Sequence, residues 1–151
     1  MKRLGIAIIL LLALSSCEDI NWQSSVPYMP VNYTLYITSR HPHFVVENGF
    51  QTMSITEKQL PNEYLGYAGL LVWVGMDNQY YAADLCCPHC LKRNKPLQVD
   101  GLYAVCPICS EQFDISYGIC NPTQGVTKEP LQRYNTSFRM KATGNELYIF
   151  N

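Results

Sequence analysis

The chain has 151 residues and a formal net charge of -1 at pH 7, and charged residues make up 15% of it. This length fits one domain with a core large enough to fold alone. The low and balanced charge gives no basic surface for a phosphate backbone, so we expect no nucleic-acid partner. The 11 tyrosines, 9 glycines and 9 prolines favour strands and turns over long helices.

The N-terminal segment has the order of an export signal. Two basic residues precede an apolar run over residues 4–14, and small residues follow it. The run is too short to span a membrane, which takes about 20 apolar residues. The segment LSSC that ends at Cys17 resembles the lipobox of bacterial lipoproteins, whose cysteine is acylated and becomes the N-terminus. An ordinary signal peptide with an incidental cysteine is the alternative.

We therefore expect a lipoprotein signal peptide over residues 1–16, lipidation at Cys17 and a flexible, lipid-anchored tether over residues 17–30. The tether prediction rests on a polar composition with two prolines and no periodicity. The protein would be exported and anchored to a membrane of the cell envelope, without spanning it.

The remaining residues, 31–151, predict a domain of short strands and no helix. The segments 70–75 and 79–85 flank the turn residues Met76-Asp77-Asn78 and predict a hairpin. Residues 58–69 predict a loop because a proline and two glycines interrupt them. The fold class is therefore all-β. The other predicted strands are 31–38, 44–46, 51–56, 102–105, 113–115 and 146–150.

Six of the seven cysteines fall between positions 86 and 120. The core of their pattern is Cys87-Pro88-His89-Cys90, the first knuckle, and Cys106-Pro107-Ile108-Cys109, the second knuckle, with 15 residues between them. Paired turns of this kind bring ligands from two hairpins to one tetrahedral site. Thiolate and imidazole ligands indicate zinc or an iron-sulfur cluster and disfavour calcium.

The knuckles resemble the C-x-H and C-x-x-H ligand pairs of Rieske iron-sulfur proteins. The resemblance covers roughly residues 66–150. It includes the strand pair before the first knuckle, the stretch SEQFD at 110–114, which stands where the family has G-S-x-F-D, and PLQRY at 130–134, which is similar to the closing strand.

This resemblance implies a Rieske-like (ISP domain) antiparallel β-sandwich over residues 31–151. A small subdomain, similar to rubredoxin or a zinc ribbon, would carry the cluster in the loops 86–91 and 106–113.

The ligand set that the resemblance implies for a 2Fe-2S cluster is Cys87, His89, Cys106 and Cys109. It departs from the family because Cys109 stands at the position of the second histidine, which leaves three cysteines and one histidine. A thiolate adds negative charge, so we expect a reduction potential below the roughly -150 to +300 mV of centres with two histidines.

Two other arrangements of the thiols are open. In one, Cys90 replaces His89 and the knuckles form a four-cysteine zinc ribbon, and spacing alone does not choose between these two residues. In the other, six thiols form three disulfides that staple the fold in an oxidising envelope. Of the thiols outside the ligand set, a link from Cys120 to Cys90 or to Cys86 is conceivable.

The expected function is electron transfer by a 2Fe-2S cluster near the membrane, as a carrier or accessory and not as an enzyme. Its partner would be a redox protein that the sequence does not identify. Rieske oxygenases add a large mononuclear-iron domain, for which this chain has no residues left. A metal- or disulfide-stabilised binding module without redox activity is the alternative class. Thiol-disulfide exchange at the second knuckle is disfavoured because such motifs usually open a helix.

The basic loop with Lys92, Arg93 and Lys95 is interpreted as a solvated rim or as a docking site for an acidic partner.

Overall fold

Residues 24–151 are described by the structure, which is a computed structural model, and their regular structure is almost entirely β. The predicted signal peptide and the lipidation site Cys17 lie outside the described residues. Within the described part of the chain, no helix has the length and apolar character needed to cross a membrane.

Every strand pair in the described residues is antiparallel. A single helical turn, α1 (Ile37–Arg40), and a 3-10 turn at Val46–Asn48 are the helical elements of this part. The prediction of a mostly β chain is confirmed. The strands are β1 (Val31–Tyr36), β2 (Gln51–Ile55), β3 (Tyr64–Leu65), β4 (Leu70–Val74), β5 (Tyr80–Asp84), β6 (Gln98–Asp100), β7 (Tyr103–Val105), β8 (Gln112–Asp114), β9 (Pro122–Gln124), β10 (Arg133–Arg139) and β11 (Glu146–Phe150).

The strands form two sheets. The large sheet has seven strands in the order β2-β4-β5-β10-β11-β1-β3, and the small sheet has four in the order β6-β7-β8-β9. The small sheet is an insertion between β5 and β10. The first knuckle therefore lies on the connection from β5 to β6, and the second knuckle lies on the turn from β7 to β8.

Strand β4 is buried along its whole length because both of its faces are covered. Leu70, Val72 and Val74 join the core of the large sheet. Leu71 and Trp73 face the other way, into a second core shared with the small sheet. A continuous apolar run is typical of a strand buried on both faces. The small sheet and its knuckles thus rest on one face of the large sheet.

The predicted β4–β5 hairpin is confirmed, with Trp73 opposite Tyr81 and the N–H of Gly75 bonded to the carbonyl of Gln79 at 2.9 Å. The predicted strand at 44–46 is wrong. Its backbone instead makes local turn bonds, among them the N–H of Phe44 to the carbonyl of His41 at 2.8 Å. These bonds use the groups that a strand would pair with a neighbour.

Other boundaries also differ. The strand predicted over 31–38 ends at Tyr36 because α1 follows it, and the predicted loop 58–69 contains the two-residue strand β3. Residues 24–30, within the predicted tether, contact the domain. Val26 is 3% exposed, and the Ser25 hydroxyl donates to the Glu129 carboxylate at 2.6 Å.

A buried carboxylate at the end of β5 organises the entry to the first knuckle. The carboxylate of Asp84 accepts the backbone N–H groups of Tyr67 at 2.7 Å and Ala68 at 3.0 Å. It also accepts the N–H of Cys86 at 2.8 Å and the hydroxyl of Tyr134 at 2.7 Å. Because these four donors come from the turn before β4, from β10 and from the residues just after β5, Asp84 fixes the chain where it leaves the large sheet.

Candidate metal centre

The two knuckles have the same backbone geometry. The carbonyl of Cys87 accepts the N–H of Leu91 at 2.9 Å, and the carbonyl of Cys106 accepts the N–H of Ser110 at 2.9 Å. Leu91 and Ser110 have φ angles of 52° and 59°, in the left-handed region that non-glycine residues seldom adopt. The knuckles therefore correspond position by position, with a cysteine at the first and the fourth place of each turn.

This correspondence brings four thiols together. The Sγ atoms of Cys87 and Cys109 lie 3.7 Å apart, and those of Cys90 and Cys106 lie 3.8 Å apart. All four Sγ atoms lie within 4.8 Å of one another. A metal ion with thiolates at about 2.3 Å in a tetrahedron places its sulfurs about 3.8 Å apart. The four thiols could therefore bind a metal ion with little rearrangement.

His89 lies in a neighbouring group instead. It occupies the place in its turn that Ile108 occupies in the other, and both side chains are about half exposed, at 46% and 50%. The His89 Nδ1 atom lies 3.3 Å from Oε1 of Glu111. A ring nitrogen of His89, the Cys109 thiol and a Glu111 oxygen also lie within 4.8 Å of one another.

Of the ligand set predicted from the sequence, the structure thus gathers Cys87, Cys106 and Cys109, with Cys90 as the fourth thiol. His89 is adjacent to this group through Cys109. The sequence left the choice between His89 and Cys90 open, and it contained a signal that could have favoured the thiol. Each knuckle reads C-P-x-C, so a symmetric site uses the last cysteine of both.

Burial and backbone amides act in opposite directions on these thiols. Burial raises the pKa of Cys87 and outweighs the N–H groups of Cys90 and His89, which act to lower that pKa. Burial, together with the thiols of Cys109 and Cys106, raises the pKa of Cys90 to about 12.

Cys106 differs from both. Burial acts to raise its pKa, but the N–H groups of Cys109 and Ile108 and the neighbouring thiols prevail and lower it. The thiolate form is thus favoured at Cys106, and a bound cation would be needed to keep Cys87 and Cys90 ionised.

Glu111 is a buried residue of the site that the sequence analysis missed. Its side chain is 1% exposed, and Oε1 accepts the N–H groups of Val126 at 3.0 Å and Thr127 at 2.9 Å. Its Oε2 atom lies 3.9 Å from the Cys87 Sγ. A Cβ atom at Gly125 would overlap the Glu111 side chain. The carboxylate therefore holds the loop after β9 next to the cluster of four thiols.

Cys86 and Cys120 lie outside the cluster of four thiols. Both are fully buried, and burial is the main cause that raises the pKa of each to about 12. All six cysteines in residues 24–151 are free. The structure therefore has neither of the conceivable links from Cys120 to Cys90 and to Cys86.

Comparisons of the chain with known protein families, with curated proteins and with solved structures found no match. The function is therefore inferred from the geometry of the site and the pattern of the sequence.

Proposed function

We propose that the domain binds one zinc ion through the four thiolates of the two knuckles, and that this ion holds the small sheet together. The observation that carries the proposal is that all four Sγ atoms lie within 4.8 Å of one another. A single tetrahedral ion requires such spacing. A 2Fe-2S cluster divides its ligands two to each iron, and its bridging sulfides hold the two pairs farther apart. Among divalent ions at a thiolate site, zinc also binds more tightly than ferrous iron.

The ion would have a structural role. Strands β6 to β9 have three residues each, which is short for an independently stable sheet. Four protein ligands fill the tetrahedron and leave no open position for a substrate or a reactive water. The proposal therefore assigns the zinc no catalytic task and describes a binding or structural module, not an enzyme.

The N-terminal sequence predicts where in the cell such a module would be located. With an export signal and an acylated Cys17, the module would be held at a membrane surface of the cell envelope. Its partner would be a protein or ligand met at that surface.

A second candidate is the 2Fe-2S electron carrier that the resemblance to Rieske proteins implies. One observation favours it: a ring nitrogen of His89 lies within 4.8 Å of the Cys109 Sγ. In Rieske centres one iron has two thiolates and the other has two non-thiolate ligands. Here Cys87 and Cys106 would hold one iron, and His89 and Cys109 would hold the other. Such a centre would pass single electrons to a redox partner at the membrane.

The two candidates are separated by metal analysis of two variants. Residues 18–151, which include every described strand and both cores, would be produced in medium that contains both iron and zinc, without oxygen. Zinc, iron and sulfide per chain and the visible spectrum would be measured for the wild type, for Cys90→Ser and for His89→Asn. The zinc proposal predicts one zinc and no colour, retained in His89→Asn and lost or strongly weakened in Cys90→Ser.

Two irons and two sulfides that survive Cys90→Ser but change in His89→Asn would support the carrier and overturn the zinc proposal. A colourless chain without metal, with its thiols paired as disulfides, would contradict both. One iron without sulfide would keep the four-thiolate site and replace zinc by a redox-active ion.

A further inference from the structure

A cleft of about 440 Å³ has none of the knuckle cysteines in its lining. The edge strand β3 and the turn after it form one side, and the loop over residues 93–96 forms another. The cleft is of the size that small ligands occupy in proteins, which is about 300–1,000 Å³. None of the residues that line it is acidic.

Two cationic side chains line this cleft, and each lies over a tyrosine ring. The Lys58 Nζ atom lies 4.5 Å from the centre of the Tyr64 ring, and the Arg93 Cζ atom lies 5.8 Å from the centre of the Tyr67 ring. A cation over an aromatic face is attracted without being neutralised. Among the ion pairs between described residues, neither Lys58 nor Arg93 takes part. Both positive charges therefore remain available to a ligand.

The side of the cleft next to β3 is held in place by buried groups. The N–H groups of Tyr67 and Ala68 bond to the Asp84 carboxylate at 2.7 and 3.0 Å. A Cβ atom at Gly66 would overlap the Tyr134 hydroxyl and approach Asp84, so this turn packs directly on the buried pair. A binding surface that is ordered before the ligand arrives avoids part of the entropy cost of binding.

We infer that this cleft binds a phosphate monoester through Lys58 and Arg93. Two cations in a wall without carboxylates favour a ligand with about two negative charges, and a phosphate monoester carries about -1.5 to -2 near neutral pH. The guanidinium group supplies paired donors for phosphate oxygens, and the ammonium group supplies a compact charge. The phosphate could belong to a soluble ester or to the headgroup of a lipid. The inference is independent of which metal the knuckles hold.

The test is a binding titration of residues 18–151, which include all of the described elements, with two probes. Glycerol 3-phosphate represents the soluble source, followed by calorimetry and by NMR shifts of Arg93. Phosphatidylcholine vesicles with and without phosphatidic acid represent the lipid source, followed by co-sedimentation. The variants are Lys58→Gln and Arg93→Gln, and the control is Lys92→Gln, which removes the neighbouring exposed charge outside the cleft.

The inference predicts that one probe binds and that each cleft variant weakens its binding by roughly tenfold, as expected for the loss of one charged contact. The control should bind as the wild type does. Binding of glycerol 3-phosphate would assign a soluble ester, and binding of the phosphatidic acid vesicles alone would assign a lipid headgroup. Absence of binding to both probes, or equal weakening in Lys92→Gln, would overturn the inference. Unchanged amide spectra of the variants would show that the fold is retained.

Discussion

The Sγ of Cys90 lies 3.8 Å from the Sγ of Cys106, so the last residue of one knuckle contacts the first residue of the other. The pair of Cys87 and Cys109, at 3.7 Å, repeats this relationship in the opposite sense. An ion between the knuckles would therefore be held by two equivalent turns, one on the connection from β5 to β6 and one between β7 and β8. This crossed arrangement explains why removal of the ion should affect both knuckles together.

Metal removal should unfold the small sheet before the large one. A chelator would leave buried thiols without the cation that offsets their charge, and the three-residue strands have little pairing of their own. Hydrogen exchange followed by mass spectrometry should show loss of protection in β7 and β8, while β1, β10 and β11 keep theirs. Added zinc should restore protection. Equal protection with and without metal would contradict a structural role for the ion.

Asp84→Asn should destabilise the fold by about 2–4 kcal/mol, because one amide oxygen cannot accept from all four donors. The amide NH2 group would also face either the N–H groups of Ala68 and Cys86 or the N–H of Tyr67 and the hydroxyl of Tyr134. Urea unfolding followed by fluorescence measures the loss. The control Asp100→Asn alters an exposed carboxylate of β6 and should change the free energy of unfolding by no more than about 0.5 kcal/mol. Equal effects of both changes would show that the hydrogen bonds of the Asp84 carboxylate do not stabilise the fold.

Tyr134→Phe should reveal a stability contribution that depends on pH. Burial first, and then the nearby Asp84 carboxylate, raise the pKa of Tyr134 above its ordinary value of 10.0. The folded chain thus keeps this proton longer than the unfolded chain. The contribution is complete below pH 10 and declines as the pH rises from there towards the folded pKa.

At pH 8 the variant should be less stable than the wild type by about 1–2 kcal/mol, because it lacks the hydrogen bond to Asp84. Above pH 10 the difference should shrink by roughly 1.4 kcal/mol for each pH unit. Denaturant unfolding between pH 8 and 11 measures it. A difference that stays constant or grows with pH would contradict the raised pKa of Tyr134.

Glu111→Gln should keep the fold and tighten zinc binding. The amide oxygen can still accept the N–H groups of Val126 and Thr127, while a negative charge 3.9 Å from the Cys87 thiol is removed. Loss of this repulsion should raise the affinity on the order of tenfold, which competition with a zinc-binding dye would measure. Glu111→Ala removes the acceptor as well and should instead lower the melting temperature. Weaker zinc binding in Glu111→Gln would show that the carboxylate assists the metal.

Strands with strong apolar patterns were predictable, and strands that depend on distant pairing were not. The apolar run of β4 and the turn residues Met76-Asp77-Asn78 predicted the hairpin, whose connection spans residues 75–79. The alternation in β11 predicted Glu146–Phe150 with the right bounds. Strands β6 and β9 are polar and three residues long, so they exist only because β7 and β8 pair with them. Phe44 is buried like a strand residue, but turn bonds set its backbone.

The clustering of thiols from the two knuckles was predictable from the sequence, but the full set of residues at the site was not. The two C-P-x-C repeats predicted that the knuckles meet, but only the second knuckle joins paired strands, and the choice between His89 and Cys90 depends on the turn geometry. The left-handed backbone at Leu91 and Ser110 makes the turns equivalent, and neither leucine nor serine is a residue type from which that conformation is predicted. Glu111 is buried through bonds to Val126 and Thr127, 15 and 16 residues further along the chain, so no local pattern could indicate it.

The most direct test of the four-thiolate zinc site is X-ray absorption at the metal edge of the purified protein with its metal bound. The account predicts a zinc edge with four sulfur neighbours at about 2.3 Å and no nitrogen neighbour, in the wild type and in His89→Asn alike. An iron edge with a second iron close by and a nitrogen ligand lost in His89→Asn would contradict it and establish a Rieske-like cluster.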